Sequence, residues 1–156
     1  MRTLTAVNIC LYFLLTVTSA SAEPAQSPIV KTVTAEQVSA ALKEAGYKVE
    51  FDKYSDGDTY LRVEMVNWYV IVDFAGCTPQ HNCGGVRFYT LFPKNAAYNL
   101  DLANTINNVK FATKASIDAE GNLMIQLASY IGGGVTLENI KQIANFFQGE
   151  LKSLTK

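Results

Sequence analysis

Residues 60–92, YLRVEMVNWYVIVDFAGCTPQHNCGGVRFYTLF, decide the fold. Leu61, Val63 and Met65 alternate with Arg62 and Glu64, the two-residue period of a strand with one buried face. Val66-Asn67 turns the chain, and Trp68 to Phe74 returns with almost no polar residue. An apolar run of that kind suits a central strand covered on both faces. Val86 to Phe92 alternates again, with Val86, Phe88 and Phe92 opposite Arg87, Tyr89 and Leu91. Cys77 and Cys83 face each other across the tight connection between the last two strands. Strands joined this closely are antiparallel, because a parallel pair needs a long crossover.

The flanks extend the pattern. Thr34 with Gln37 fits a capping box, and Val33 against Val38 a hydrophobic staple. Val38, Ala41, Leu42 and Ala45 share one helical face, and Gly46 supplies the left-handed stop. Tyr47 to Tyr54 alternates as a half-buried strand, and Ser55-Asp56-Gly57-Asp58 is a hairpin turn. Downstream, Pro93 and Lys94-Asn95 end the central strands. Asn99 caps a helix carrying Leu102, Ala103 and Ile106 to about Asn107 or Asn108. Val109 to Ile117 and Asn122 to Tyr130 read as a second hairpin about Asp118-Ala119-Glu120-Gly121. Gly132-Gly133-Gly134 reads as a flexible hinge. Thr136 caps the last helix, with Val135 and Ile140 as its staple and Leu137, Ile140, Ile143, Ala144, Phe147 and Leu151 as its apolar stripe. The order α-β-β-β-β-α-β-β-α defines an α+β fold, an antiparallel sheet with helices packed on it. No internal repeat or second domain is visible.

The amino terminus reads as a signal peptide over residues 1–22. Arg2 is followed by the apolar run Ile9 to Val17, and Ser19-Ala20-Ser21-Ala22 sets cleavage after Ala22. The run is shorter than the roughly 20 residues that a membrane span needs. Val7-Asn8-Ile9 before Cys10 lacks the small residue of a lipoprotein site, and the apolar run follows that cysteine. Removal leaves 134 of the 156 residues: a flexible leader at 23–32 and one domain at 33–156. The mature chain then carries 12 basic and 14 acidic residues in mixed order. It has no basic stripe for nucleic acid and no apolar stretch for stable membrane insertion. The expected location is periplasmic or secreted.

Two cysteines remain after export, and the default is a Cys77–Cys83 disulfide. Cys77, His81 and Cys83 are also the only candidate metal set. Structural zinc usually takes four ligands, however, and oxidation would consume both thiolates. The cysteine spacing is not that of a thioredoxin-type redox motif. His81 with Asp73 lacks a nucleophile, and neither Ser116 nor Ser129 lies in a nucleophile-elbow context. Gly132-Gly133-Gly134 precedes a helix but is followed by no lysine of a phosphate loop. No catalytic residue, metal or cofactor is therefore assigned. The aromatic residues of the central strands remain, with Trp68, Tyr69 and Tyr89 as candidates for an interaction surface.

Ala45-Gly46-Tyr47, the apolar strand into Cys77, Cys83 and its strand, Ile106-Asn107 before Lys110-Phe111, Asp118-Ala119-Glu120-Gly121 and Gly133-Gly134 before a helix occur in an order that resembles the YbjN-domain family of bacteria. The resemblance runs from about Glu36 to Leu151. It implies a fold similar to type III secretion chaperones, which bind polypeptides, and a role in sensory transduction or regulation. It implies no catalytic residues. Those chaperones are cytosolic, so an export signal departs from their pattern. The expectation is a non-catalytic exported interaction or regulatory module, binding a protein partner or itself. A metal- or thiol-responsive role for Cys77, His81 and Cys83 is the alternative.

Overall fold

The computed structural model of the chain describes residues 28–154. The signal segment, its cleavage point and most of the leader lie outside them. Strand β1 is Ile29–Val30, helix α1 Ala35–Glu44, β2 Val49–Lys53, β3 Thr59–Met65, β4 Trp68–Cys77 and β5 Cys83–Phe92. Helix α2 is Leu100–Val109, β6 Lys114–Ile117, β7 Leu123–Tyr130, β8 Val135–Thr136 and α3 Leu137–Leu154. Six strands form one antiparallel sheet in the order β2-β3-β4-β5-β7-β6. The class is α+β, and the order of its principal elements is the one read from the sequence.

Local chemistry explains the boundaries. Thr34 accepts from the Gln37 amide at 3.3 Å and the Gln37 side chain accepts from the Thr34 amide at 3.0 Å, the reciprocal bonds of a capping box. Gly46 follows α1 at φ 89°, a conformation that costs a side-chain-bearing residue. Asn99 accepts from the Leu102 amide at 2.9 Å and starts α2. Thr136 accepts from the Asn139 amide at 3.2 Å and starts α3.

Register places Leu61, Val72, Phe88 and Leu127 in one row, and Val63, Val70 and Ile125 along the next. These face the helices. Val38 and Leu42 of α1, Ala103 and Ile106 of α2, and Ile140, Ala144, Phe147 and Leu151 of α3 join them in a single buried core. Sheet and helices are thus held by apolar burial on one face only.

Three expectations change. Trp68 to Phe74 is covered on one face, not both: Val70 and Val72 are buried while Tyr69 is 61% exposed. The apolar run misled because Ile71 and Tyr69 on the open face are as hydrophobic as their buried neighbours. The second hairpin is shorter than read, because Val109 completes α2 and the strand begins only at Lys114. Ile29 and Val30, placed in the leader by composition, pair with Val135 and Thr136. Gly134 allows this, since a Cβ built there would lie 2.8 Å from the Ile29 side chain. Gly132 and Gly134 are thus closely approached at the entrance to β8, while Gly133 stands open.

Candidate interaction surface

The side of the sheet away from the helices is lined by alternate residues of every strand. Across β2 to β5, Glu50, Arg62, Ile71 and Tyr89 form one row. Asp52, Tyr60, Asp73 and Arg87 lie along the row beside it. Glu64, Tyr69 and Leu91 border it on the other side. Tyr69 and Leu91 are 61% and 46% exposed.

Most charges on this face are paired within it, while Asp52 instead accepts from the Tyr60 hydroxyl at 2.9 Å. Arg62 donates to Glu50 through Nε at 3.2 Å and Nη2 at 2.5 Å, and its guanidinium lies 5.1 Å from the centre of the Tyr69 ring. Arg87 grips Asp73 with both Nε and Nη2 and lies 4.9 Å from the centre of the Tyr89 ring. The two sites repeat one arrangement: a carboxylate, a forked arginine and a tyrosine face. Such forked pairs hold both partners in one geometry. Lys48 donates to Glu64 at 2.9 Å. The Lys48–Glu64 and Arg62–Glu50 pairs lie largely in solvent, so each contributes little and orders the surface more than it stabilises the fold; Asp73 of the third pair is part-buried.

At one end of this face lies a cavity of about 700 Å3. Its walls are the start of α1 at Thr34 to Glu36, the β2–β3 hairpin at Tyr54, Asp56 and Asp58, and the β4–β5 connection. The hydroxyls of Tyr54 and Tyr89 lie 2.9 Å apart at its wall. Burial, and then this hydrogen bond, pushes the Tyr54 phenol up, so it stays protonated. Glu36 is held below the usual carboxylate range, mainly by the Thr34 hydroxyl.

The sequence-derived site residues fall in three places. Trp68 is not part of the open face. It lies on the helix side, its ring 4.6 Å from that of Phe92 and packed against the core, because the Val66-Asn67 turn sets it directly opposite buried Met65. Tyr69 and Tyr89 are on the open face in adjacent rows, Tyr89 opposite Ile71 and Tyr69 opposite Glu64. Cys77, His81 and Cys83 line the cavity with Asp73. Cys77 and Cys83 are directly opposite in register, with their sulfurs at bonding distance. That pairing leaves no thiolate for a metal, and among the described residues no group of three His, Cys, Asp or Glu side chains could hold one. Ser116 and Ser129 stand on β6 and β7, away from His81.

Sequence reasoning missed the Asp73–Arg87 pair. Counting back from Cys77 and forward from Cys83 in equal steps brings Asp73 opposite Arg87 and Ile71 opposite Tyr89. The opposed cysteines therefore carried the signal.

A six-stranded antiparallel sheet, helices on one face and an ordered polar-aromatic lattice on the other define a small α+β module. The YbjN profile, whose description is "Putative bacterial sensory transduction regulator", matches residues 34–153. The chain belongs to the YbjN family. No curated protein matches it. Among the described residues, no helix is long and apolar enough to cross a membrane.

Proposed function

We propose that this protein is a non-catalytic interaction module of the YbjN family that acts after export, in the periplasm or beyond. Its partner is a polypeptide, engaged through the open sheet face around Tyr69, Ile71, Tyr89 and Leu91. The observation that carries the reading is that a whole face of the six-stranded sheet lies away from the helices while Tyr69 and Leu91 stand exposed on it. Rigid aromatic side chains on a preformed surface lose little entropy on binding. Export follows from the signal-peptide pattern of residues 1–22, and the opposed cysteines suit an oxidising compartment.

The test is a photo-crosslinking residue in place of Tyr69, introduced in the full chain and activated in periplasmic extract. A discrete adduct, lost when Leu91 is also changed to Ser, supports the reading. A strictly monomeric protein with no adduct overturns it. Recovery of the chain with residues 1–22 attached in the cytosolic fraction overturns the export part alone.

A further inference from the structure

The outer edges of the sheet are defended in two ways and open in a third place. β2 carries Glu50, Asp52 and Lys53 along one edge, and charges there discourage a further strand. β6 forms the other edge, where the Asn107 side chain occupies the outward backbone. It accepts from the Ala115 amide at 2.7 Å and donates to the Ala115 carbonyl at 3.0 Å. β6 covers β7 only from Leu123 to Gln126, however, and Leu127 to Tyr130 pair with β5 alone.

Strand alternation decides which groups are left over. The Ile131 amide donates to the Gly84 carbonyl at 2.8 Å, so the odd-numbered residues here turn their backbone toward β5. Ala115 turns outward to Asn107, so Lys114 and Ser116 face β7 and meet Gln126 and Met124. The even-numbered residues of β7 thus turn their backbone to the β6 side. Ala128 and Tyr130 present N–H and C=O there, where no strand of the described residues lies.

This edge lies along a groove of about 600 Å3. Ile143 and Phe146 of α3 form one wall, and Phe111 stands at the β6 end. Phe111 is 99% exposed. Among the described residues, none that lines the groove is charged.

We propose that the groove receives an extended segment of a partner polypeptide as an added strand beside Leu127 to Tyr130, in line with β6. The backbone of Ala128 and Tyr130 sets its register. The uncharged walls select an uncharged segment, with apolar side chains at alternate positions seated toward Ile143 and Phe146. Of this chain's own edge strands, β2 carries Glu50, Asp52 and Lys53 and β6 has its outward backbone occupied by Asn107, so neither suits the uncharged groove and the occupant is a strand of another protein. The inference rests on the polypeptide-binding reading above but uses a different surface.

The test uses amide exchange by NMR on the described domain within the full mature chain. The probes are lysine-capped peptides that alternate threonine with valine, leucine or phenylalanine. In the free protein, the Ala128 and Tyr130 amides should exchange much faster than those of Leu127 and Ser129. Peptide should slow them at least about tenfold, and N-methylation of alternate peptide nitrogens should remove the effect. Phe111→Ser and Phe146→Ser, both at exposed positions, should each weaken binding about tenfold. Tyr69→Ser with Leu91→Ser should leave it unchanged. Four equally protected amides in the free protein, no slowing with any peptide, or equal binding of the methylated peptide overturns the proposal. Loss of binding in the Tyr69/Leu91 variant also overturns it, while leaving the open-face reading intact.

Discussion

Removing the Cys77–Cys83 link should destabilise the protein by an amount that depends on which cysteine is changed. The two residues are six apart in sequence. On the chain-entropy model, so short a loop contributes about 2 kcal/mol at 25 °C, or roughly 8 °C in Tm for a domain of this size. The backbone already holds the turn, with Thr78 donating to the Asn82 carbonyl and His81 to the Thr78 carbonyl, each at 2.9 Å. Register should therefore survive reduction. Cys77 is exposed, whereas Cys83 is 3% exposed. Cys83 also exchanges backbone hydrogen bonds with buried Val33 at 2.8 and 3.0 Å, just ahead of the α1 cap. Cys77→Ala should thus cost about 2 kcal/mol, like reduction of the native protein. Cys83→Ala should cost about 1 kcal/mol more for the buried sulfur it deletes, with faster amide exchange in α1. The assay is urea unfolding of purified mature protein with a thiol reductant present, beside the oxidised native protein. Equal costs for the two variants, or no cost from reduction, would refute the reasoning.

Phe147 is fully buried on α3 with its ring 6.2 Å from that of Phe88. Phe147→Ala should lower unfolding free energy by about 3–5 kcal/mol in the same urea assay, and a loss below about 1 kcal/mol would contradict the packing described. Asn107→Ala removes both bonds to Ala115 and should cost about 1–2 kcal/mol. It should also increase concentration-dependent association, read by light scattering, because it bares the β6 edge. Asp118 is held below its ordinary pKa of 3.8, chiefly by the Asn122 side-chain amide and then by backbone amides. Its folded pKa lies below the unfolded one, so its contribution is full above that ordinary value and lost as pH falls through the folded value. Asp118→Asn should flatten stability against pH in that acid window and leave its shape near neutrality unchanged; an unaltered acid limb would rule the contribution out.

The one-sided burial of the sheet was only partly legible. Hairpin turns, caps and alternation place Thr34, Gly46, Asn99 and Thr136 without reference to distant contacts, because each acts within a few residues. The face of β4 was not readable in that way. Tyr69 and Ile71 suit an interior as well as Val70 and Val72 do, and which side the helices cover depends on residues far along the chain. The β1–β8 ribbon was hidden for a related reason. Two residues have no period, and their partners lie more than a hundred positions away. The candidate surface was legible in its tyrosines but not in its arginines, because Arg62 and Arg87 acquire their roles only once register places Glu50 and Asp73 opposite them.

Those arginines also decide what kind of association the open face supports. Glu50 with Arg62, Glu64 with Lys48, and Asp73 with Arg87 are each neutral as pairs. Asp52 on β2 and Lys114 on β6, outside these pairs, carry opposite charges, so the face projects little net field and diffusional steering by charge should be weak. Binding there draws instead on burial of Tyr69, Ile71 and Leu91, which salt does not screen. Affinity for a partner held on this face should change less than about threefold between low and physiological ionic strength, measured by isothermal titration. The cavity at the end of the sheet is different, since Glu36, Asp56 and Asp58 lie on its walls. A steep loss of affinity with added salt would move the contact from the neutral lattice to that acidic rim, and crosslinks from Tyr54 instead of Tyr69 would then be expected.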